Sequence, residues 1–363
     1  MKIRKAILTG GGRATRLYPI TTTINKHLIP LANKPMIFHA IEKVVEAGVT
    51  EIFINVNPGE TQLPDYVGDG GHWGIKIKFF EQTGGPQGIA HVVHEARNFI
   101  GDDPFIFYLS DNILLGSLKE MVHEFEHERY DCLLALSKVA DPERFGVPFF
   151  NEKNELVDIV EKPANPQNNF AVTGLYIYGP KIFFETFPRI QKSARGEYEI
   201  SAIHSHFLKA GKRVGYKEIT GWWKDTGKSD DLLLANKLLL DALPDADFSG
   251  RDAPAGVEVA GRVRVCHGAR CRDRVTLRGP GILGENCDLE DCAIGPYVTI
   301  GAGATIRGAT IDHSMIFENT RIDSRMHFSQ SLIGKSVTIR INGRVNDGPY
   351  HLIVGDKSVI EHS

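Results

Sequence analysis

Two patterns of hydrophobic and polar positions divide this chain into an N-terminal and a C-terminal part. As far as about Asp241, short apolar runs alternate with segments in which apolar residues recur at helical spacing. The apolar runs predict strands over Lys5–Thr9, Glu51–Val56, Lys76–Phe80, Phe105–Ser110 and Leu133–Val139, and the helical segments predict helices near Pro35–Ala47, Ala90–Phe99 and Leu118–Arg129. This alternation is typical of an α/β fold with a Rossmann-like, mostly parallel sheet, in which ligands bind beyond the carboxyl ends of the strands.

A six-residue period replaces the helical one after a segment rich in Asp, Pro, Gly and Ala. Aliphatic or small residues recur as the pairs Val259/Val263, Val265/Ala269, Cys271/Val275, Leu277/Gly281, Leu283/Cys287 and Leu289/Ala293, then, after a one-residue slip, Ile294/Val298, Ile300/Ala304, Ile306/Thr310, Ile311/Met315, Ile316/Thr320, Ile322/Met326, Phe328/Leu332 and Ile333/Val337. Two inward positions in every six residues suit a coil of very short strands whose turns stack on one another. The chain is therefore interpreted as an α/β domain over residues 1–241, a linker over residues 242–256, a hexapeptide-repeat parallel β-helix over residues 257–341 and a tail over residues 342–363.

Composition and charge exclude several classes of protein. The 363 residues, 42% of them apolar, can bury the cores of two domains, and the formal charge of −3 gives no reason to expect nucleic acid or a membrane surface as a partner. No apolar run approaches the roughly 18 residues of a membrane span, and the run after Met1–Lys5 is too short for a signal peptide. Five cysteines without CxxC spacing fit neither a disulfide framework nor a zinc site, and Cys271 and Cys287 fall on inward β-helix positions. These features predict a cytoplasmic protein.

A glycine-rich segment, Gly10-Gly-Gly-Arg-Ala-Thr-Arg-Leu17, directly follows the first predicted strand. Glycines at the end of a strand let backbone N–H groups approach an anion closely, while Arg16 and Lys26 add positive charge. A glycine-rich turn alone is as often structural as functional, and a solvated surface charge is the alternative for each cation. Together these residues predict a binding site for a triphosphate.

Two acidic residues stand where α/β enzymes hold metal ions. Asp111 directly follows a predicted strand, and Asp225 precedes a predicted helix over Ser229–Leu240. Either one alone could cap a helix or a turn, but two carboxylates near a phosphate loop match the ligands that Mg²⁺ prefers. At the end of another strand, Glu161 could accept hydrogen bonds from sugar hydroxyls and Lys162 could meet a phosphate, and the alternative for them is a surface ion pair.

Ten stretches of the N-terminal part occur in the order, and at nearly the spacing, of a known family. They are GGGRATRLYPIT, INKHLIP, NKPMI, VGDGGHWG, LSDNI, DPERFGV, VEKP, FAVTGLYIY, SARGEYEI and WKDTG. Through them the chain closely resembles the sugar-1-phosphate nucleotidyltransferases, and among these the glucose-1-phosphate thymidylyltransferases. The resemblance implies transfer of a nucleotidyl group from a nucleoside triphosphate to a sugar 1-phosphate, with Mg²⁺ as cofactor and pyrophosphate as the second product. The repeats after Gly256 resemble the left-handed β-helix of the longer members of that superfamily.

The resemblance also implies a role for each matching position. Gly11, Gly12, Arg16 and Lys26 would bind the triphosphate, Gln82 and Gly88 would bind the base, and Asp111 would contact the nucleotide and, with Asp225, hold Mg²⁺. Gly146, Glu161, Val172 and Gly174 would line the sugar site, and Lys162 and Arg195 would bind the phosphate of the sugar. Arg16, Lys26 and Lys162 would act in catalysis; no general base is needed, because the attacking phosphate is already an anion.

The sequence departs from the family at two places. Gly10 and Ala14 replace an alanine and a glycine of the family's phosphate loop, and a methyl group at Ala14 restricts the backbone angles there. The segment between Gln82 and Gly88 is one residue longer than in the thymidylyltransferases. We therefore expect dTTP as the donor and glucose 1-phosphate as the acceptor by resemblance alone, with UTP or another pair left open.

Three expectations concern the protein as a whole. Stacked β-helix turns present flat faces and an open end that another subunit can cover, which predicts a homo-oligomer. A catalytically silent sugar-nucleotide sensor is one alternative to an enzyme, although the charged positions expected of an enzyme are all present. An acyltransferase site in the β-helix, with His313 or His327 as its base, is another, although a histidine on such a surface more often faces solvent or packs.

Overall fold

The structure, a computed structural model, describes residues 2–12, 14–219, 223–244, 257–341 and 348–362. The chain divides into two compact units that do not follow the order of the sequence. The first unit contains Met1–Arg13 and Ile37–Lys224, and the second contains Ala14–Met36 and Asp225–Ser363. A short N-terminal segment thus groups with the C-terminal part of the chain.

Strands and short helices alternate in the described residues before 245. The strands are β1 (Lys5–Thr9), β2 (Pro30–Leu31), β3 (Lys34–Pro35), β4 (Glu51–Val56), β5 (Lys76–Glu81), β6 (Phe105–Tyr108), β7 (Asn112–Leu114), β8 (Cys132–Lys138), β9 (Gly146–Phe150), β10 (Leu156–Glu161), β11 (Phe170–Tyr178), β12 (Val214–Glu218) and β13 (Trp223–Asp225). The α-helices are α1 (Met36–Glu46), α2 (Gln62–Val67), α3 (Ile89–Glu95), α4 (Arg97–Ile100), α5 (Lys119–Glu128), α6 (Ile182–Thr186), α7 (Ile200–Lys209) and α8 (Ser229–Ala242). Single 3₁₀ turns cover Thr15–Leu17, Ile20–Thr22, Lys26–Leu28, Gly71–Trp73, Pro142–Arg144 and Phe187–Arg189.

A seven-stranded sheet in the order β12-β8-β11-β6-β1-β4-β5 forms the centre of the first unit. Neighbouring strands run parallel except β11, which is antiparallel to both β6 and β8. Every residue of β6 is buried, as is usual for a central strand of such a sheet. The expected mostly parallel α/β sheet is confirmed, and the carboxyl ends of β4, β1 and β6 meet at one edge.

Most predicted elements lie within two residues of the observed ones, and β1 and β4 have the predicted bounds. The predicted helix over Ala90–Phe99 is instead divided into α3 and α4, because Ala96 leaves the helical region with φ −77° and ψ 3°. No local pattern predicted β11, although eight of its nine residues are buried. A fully buried strand lacks the alternation of apolar and polar residues that marks a half-exposed one.

Three parallel sheets form a β-helix in the second unit, which confirms the predicted coil. Its strands are β14 (Val257–Ala260), β15 (Val263–Val265), β16 (Arg270–Arg272), β17 (Val275–Arg278), β18 (Gly281–Leu283), β19 (Asp288–Glu290), β20 (Ala293–Ile294), β21 (Val298–Ile300), β22 (Thr305–Arg307), β23 (Thr310–Asp312), β24 (Met315–Ile316), β25 (Arg321–Ser324), β26 (His327–Ser329), β27 (Leu332–Ile333), β28 (Thr338–Ile341), β29 (Ile353–Val354) and β30 (Val359–His362). The sheet orders are β14-β17-β20-β23-β26, β15-β18-β21-β24-β27-β29 and β16-β19-β22-β25-β28-β30. The predicted linker lies largely outside the described residues. Strands β29 and β30 add a further turn within the predicted tail over residues 342–363.

The turns of the β-helix are not all eighteen residues long. Along one sheet Arg270 pairs with Asp288, Asp288 with Thr305 and Thr305 with Arg321, so that successive turns take 18, 17 and 16 residues. A strict six-residue period therefore fails at some corners, where one residue is omitted.

Three of the predicted inward positions are exposed, namely Val259, Val265 and Thr310, and four are only half-buried, namely Val263, Ala269, Cys271 and Ala293. Ala293 is half-buried and Thr310 is exposed, while the preceding residues Cys292 and Ala309 are buried in their place. Val259 pairs with the buried Leu277, but β14 is the terminal strand of its sheet as described, so this inward column starts with an uncovered side chain.

The cysteines and the helices agree with the other sequence-based expectations of the fold. All five cysteines are free thiols, and burial raises the pKa of Cys287 and of Cys292 to about 12. These thiols therefore behave as small core residues, as expected for Cys287. Among the residues that the structure describes, no helix has the length and apolar character to span a membrane.

Candidate active site

The glycine-rich loop of the first unit is held by two asparagines from the end of β4. The backbone N–H of Gly10 donates to Asn55 Oδ1 at 3.3 Å, and that of Gly12 donates to Asn57 Oδ1 at 3.0 Å. Asn57 Nδ2 donates in turn to the carbonyl oxygen of Gly12 at 3.1 Å. A Cβ atom on Gly11 would lie only 2.9 Å from Asn55 Nδ2, so a side chain there would displace the Asn55 amide that holds the loop. The loop geometry is therefore fixed by β4 as well as by β1.

Asp111 lies at the same edge of the sheet. The backbone N–H of Ser110 donates to Thr9 Oγ1 at 3.0 Å, and the Ser110 hydroxyl donates to the Thr9 carbonyl oxygen. These bonds join the ends of β6 and β1, and so they place Asp111 beside the strand that leads into the glycine loop. Its carboxylate is half-buried and accepts a hydrogen bond from Asn112 Nδ2 at 2.9 Å.

The residues expected to bind the sugar phosphate come together in the first unit. A Cβ atom on Gly146 would lie 3.5 Å from Glu161 Oε2 and 3.8 Å from Val172 Cβ. Lys162 Nζ lies 3.6 Å from Glu161 Oε1, and Arg195 Nη2 lies 4.0 Å from the same oxygen. These five residues form a half-exposed cluster of one carboxylate and two cations beside a glycine, which we call the Glu161 cluster.

Gly174, the remaining expected sugar-site residue, lies two residues after Val172 in β11. A Cβ atom there would lie 2.5 Å from Leu109 Cδ1, and the Gly174 carbonyl oxygen accepts a hydrogen bond from the Leu109 N–H at 2.9 Å. Gly174 thus packs against the end of β6, just before Asp111.

Arg195 is also bound by carboxylates that sequence reasoning missed. Its Nε donates to Glu199 Oε1 at 3.2 Å and its Nη2 donates to both Glu199 oxygens at 2.8 Å. Glu197 Oε2 lies 3.5 Å from Nη2. The hydrogen bonds to Glu199 are the main reason why the pKa of Arg195 is raised. The acidic pair on either side of Tyr198 was the available signal for this anchoring.

The segment from Gln82 to Gly88 is clamped at both ends. Thr83 donates to Glu95 Oε1 from its backbone N–H at 3.0 Å and also from its hydroxyl. At the other end, the Tyr198 N–H donates to the Gln87 carbonyl oxygen at 2.7 Å. Gly88 has φ +95°, and a Cβ atom there would lie 2.6 Å from the Tyr198 carbonyl oxygen, so only glycine fits. Glu95 is a residue of this site for which the sequence carried no signal.

The second unit contains the remaining expected residues. A Cβ atom on Gly227 would lie 3.2 Å from Asp225 Oδ2 and 3.4 Å from Arg16 Nη1, so the carboxylate and the guanidinium flank the same glycine. Lys26 begins a 3₁₀ turn capped by Asn25, whose Oδ1 accepts from the His27 N–H at 2.9 Å. Ala14 has φ 46° and ψ 32°, a left-handed conformation that costs an alanine roughly 1–2 kcal/mol. The departure at Ala14 is thus accommodated as strain in the backbone.

Models of two known families match this chain. The nucleotidyl transferase model matches residues 5–242, which is more than half of the chain, and the model of the GMPPB C-terminal domain matches residues 263–363. The chain belongs to the nucleotidyl transferase family. As a member, it transfers a nucleotidyl group from a nucleoside triphosphate to a sugar 1-phosphate and releases pyrophosphate.

Curated relatives and solved structures agree with this membership of the nucleotidyl transferases. A glucose-1-phosphate thymidylyltransferase from Streptomyces griseus is 33% identical over 354 residues, covering 98% of each chain. The low-salt glycan biosynthesis nucleotidyltransferase Agl11 from Haloferax volcanii is 33% identical over 360 residues, covering 98% of this chain and 99% of the relative. A Bacillus anthracis structure in complex with sucrose, provisionally assigned as a glucose-1-phosphate thymidylyltransferase, is 36% identical with a TM-score of 0.61 and covers 65% of this chain and 94% of its own.

Proposed function

We propose that this nucleotidyl transferase uses dTTP and glucose 1-phosphate and forms dTDP-glucose. The two full-length relatives described above support the reaction, and the name of the Streptomyces griseus enzyme supports the base and the sugar. The observation that carries the proposal is the Glu161 cluster, because it combines a carboxylate for sugar hydroxyls with two cations for a phosphate. The longer segment between Gln82 and Gly88 makes UTP the second candidate donor.

The chain's own residues provide charge and orientation in this mechanism. An oxygen of the sugar phosphate attacks the α-phosphorus, a new P–O bond forms, and the bond to the departing pyrophosphate breaks. Lys162 and Arg195 hold the attacking phosphate, while Arg16 and Lys26 stabilise the negative charge that develops on pyrophosphate. The second pKa of a phosphate monoester is about 6, so the nucleophile is an anion at neutral pH and no base is required.

Asp111 and Asp225 are the proposed ligands of Mg²⁺. Both are half-buried carboxylates next to the phosphate-binding segments of their own units, and hard oxygen donors of this type fit the ion. When bound, Mg²⁺ would neutralise phosphate charge and polarise the α-phosphorus.

The free thiols indicate a reducing compartment, and we place the reaction in the cytoplasm.

A substrate panel tests the proposal. Pyrophosphate release is measured with dTTP, UTP, ATP, CTP and GTP, each against glucose 1-phosphate and several other hexose 1-phosphates, with and without Mg²⁺. The highest kcat/KM is expected for dTTP with glucose 1-phosphate, and chelation of Mg²⁺ is expected to abolish release. A preference for UTP would correct the base, and no release with any pair would favour a sensor.

The same preparation tests the two remaining expectations. Consumption of acetyl-CoA with an amino-sugar phosphate would reveal an acyltransferase, but His313 and His327 both contact the carboxylate of Asp312, at 2.9 and 2.5 Å. The two histidines thus share one carboxylate partner within the β-helix. We also propose a homo-oligomer, and a particle of the mass of one chain in light scattering at micromolar concentration would contradict it.

A further inference from the structure

The segment that carries Arg16 and Lys26 has little regular structure of its own. Within Ala14–Met36 the described backbone forms three single 3₁₀ turns and the two-residue strands β2 and β3. Single turns of this kind are not stable by themselves, because each contains only one or two hydrogen bonds. The position of the two cations therefore depends on what the segment packs against.

Within the second unit, this segment is bound to the β-helix and to α8. The Ala32 N–H donates to Asn236 Oδ1 at 2.8 Å, and Asn33 Nδ2 donates to the Ile300 carbonyl oxygen at 2.7 Å. Ala32 also belongs to a small buried cluster with Leu240 and Ile282. These contacts fix the end of the segment that follows Lys26.

The last turn of the β-helix holds the part nearer to Arg16. The Thr23 hydroxyl donates to Asp356 Oδ2 at 2.6 Å, and Asp356 Oδ1 accepts a hydrogen bond from the Lys335 N–H at 2.7 Å. The Asp356 carboxylate thus joins the segment Ala14–Met36 to the backbone of the preceding turn of the β-helix. Hydrogen bonds to a charged acceptor of this kind are short and about twice as strong as neutral ones.

Gly355 allows the closest approach between the coil and the segment. It is buried, and a Cβ atom there would lie 2.9 Å from the Pro19 carbonyl oxygen and 3.1 Å from Pro19 Cβ. Its φ is not in the left-handed region, so an alanine would act through this steric contact and not through backbone strain. Pro19 lies three residues after Arg16.

We propose that the turn Gly355–Asp356 positions Arg16 and Lys26 for the nucleotide, with Asp356 acting through Thr23 as a positioning residue. The C-terminal β-helix is then required for the chemistry that Arg16 and Lys26 perform, beyond any role in assembly. This inference rests on the proposed roles of Arg16 and Lys26 in binding the triphosphate and pyrophosphate.

Steady-state kinetics in both directions test the inference on the full-length protein. We expect Thr23→Val, Asp356→Asn and Gly355→Ala each to raise the KM for pyrophosphate in the reverse reaction, and to lower kcat/KM for the nucleoside triphosphate, by about tenfold, since small displacements of positioned groups have effects of this size. The KM for the sugar 1-phosphate should stay within about twofold, because the residues of the Glu161 cluster belong to the other compact unit. Gly348→Ala is the matched control, since a Cβ atom there has nothing within 4 Å and activity should not change.

A second set of variants separates this inference from the proposed function. In the background of Arg16→Ala, the further loss caused by Asp356→Asn should be clearly smaller than in the original chain, because part of that loss acts through Arg16. Parallel losses of all kinetic parameters together with a lower Tm would show a merely structural contact and overturn the inference. Normal kinetics of Asp356→Asn and Gly355→Ala beside an impaired Arg16→Ala would also overturn it. An Arg16→Ala variant with unchanged kinetics would instead reject the proposed role of Arg16.

Discussion

Single charged residues of this protein act through specific neighbours. The Arg16 guanidinium and the Asp225 carboxylate lie near the same side of Gly227, and Arg195 is held by Glu199. The Arg195 guanidinium is therefore not a loosely solvated surface charge. Glu199 holds it in one orientation, which is the condition under which a cation can stabilise a transition state without reorganisation.

Removal of the Arg16 guanidinium should have a large effect on turnover. We expect Arg16→Ala to lower kcat on the order of 10²-fold, the usual effect of deleting one preorganised donor. Lys2→Ala, at an exposed position before β1, should leave kcat unchanged. Steady-state pyrophosphate release measures both, and similar values for the two variants would remove Arg16 from the mechanism.

A buried histidine should make the stability of the first unit depend on pH. Burial lowers the pKa of His204 to about 3, and its neutral ring shares a hydrogen bond of 2.7 Å with the Tyr178 hydroxyl. The unfolded chain binds a proton at this residue near pH 6.5, so stability is present above that pH and is lost as the pH falls toward 3, by at most about 1.4 kcal/mol per pH unit.

Denaturant unfolding at pH 7.0 and pH 5.0 measures this effect. The difference in free energy of unfolding between the two pH values should be smaller for His204→Gln than for the original chain, by about 2 kcal/mol. Equal differences in the two proteins would show that His204 makes no contribution.

The sequence predicted those residues of the candidate site that lie within a local motif. The glycine loop, Asp111, Glu161 and Lys162 lie in short runs with a recognisable composition at strand ends. Asn57, Glu95 and Glu199 act through contacts with residues distant in sequence or in the next turn, and single polar residues of this kind have no local signature. The roles of the predicted residues stay predictions until the variants are measured.

At the scale of elements, helix α3 holds the segment Gln82–Gly88 in place through hydrogen bonds. Glu95, at the end of α3, accepts two hydrogen bonds from Thr83 at the start of the segment. We expect Glu95→Ala to raise the KM for the nucleoside triphosphate about tenfold, since lost hydrogen bonds to a charged group cost roughly 1.5–3 kcal/mol. Glu128→Ala, at an exposed position in α5, is the control. An unchanged nucleotide KM in Glu95→Ala would separate this segment from base binding.

One face of the β-helix carries a column of alternating charge. In successive turns the register aligns Arg272, Glu290, Arg307, Asp323, Arg340 and Glu361. Arg307 Nε lies 3.3 Å from Glu290 Oε2, and Arg340 Nη1 lies 3.1 Å from Glu361 Oε1. Each of these ion pairs is largely exposed, so it contributes little to stability by itself. Like charges directly opposite each other would be unfavourable, which the alternation avoids.

A charge reversal in this column tests its contribution. Arg307→Glu would place three acidic side chains in consecutive turns, and we expect it to lower the free energy of unfolding by roughly 0.5–1 kcal/mol more than Arg307→Gln. The difference should shrink in 1 M salt, where the screening length is about 3 Å. Equal stabilities of the two variants at low salt would show that the column is solvated and inert.

Element type could be predicted from the period of the apolar residues, but exact positions could not. A period of two or of 3.6 identifies β4 and α1, and a period of six identifies the coil. Thr310 was placed inside because an unbroken period was extended through a shortened turn. Burial there is decided by the stacking of neighbouring turns, where Ala309 is small enough to fill the corner.

At the scale of the whole molecule, the pattern of the sequence and the compactness of the chain give different divisions. The change from helical to six-residue period falls near residue 241, and the family models also change beyond residue 242. Compactness instead groups Ala14–Met36 with the C-terminal part. No local pattern could predict this, because it depends on bonds such as that from Thr23 to Asp356, which join residues more than 300 positions apart.

These contacts between distant parts of the sequence predict that the two fragments of a chain cleaved in the linker remain associated. An N-terminal fragment that ends within residues 245–256 carries both Ala14–Met36 and α8, and both pack in the unit that contains the β-helix. Leu240 is buried with Ile282, and Arg262 Nη1 donates to the Leu243 carbonyl oxygen at 2.9 Å. Together with the Asn33 and Thr23 bonds, these contacts hold the fragments at several independent points, so separation requires all of them to break at once.

The measurement uses a protease site inserted within residues 245–256 of the full-length protein. After cleavage, size-exclusion chromatography at micromolar concentration should show one particle of unchanged size. The kcat/KM for the nucleoside triphosphate should stay within about twofold of that of the uncut protein, because the contacts that hold the Arg16 segment are non-covalent and remain after the chain is cut. Dissociation into two fragments, or full activity of the isolated N-terminal fragment, would show that the β-helix and the phosphate segment are independent.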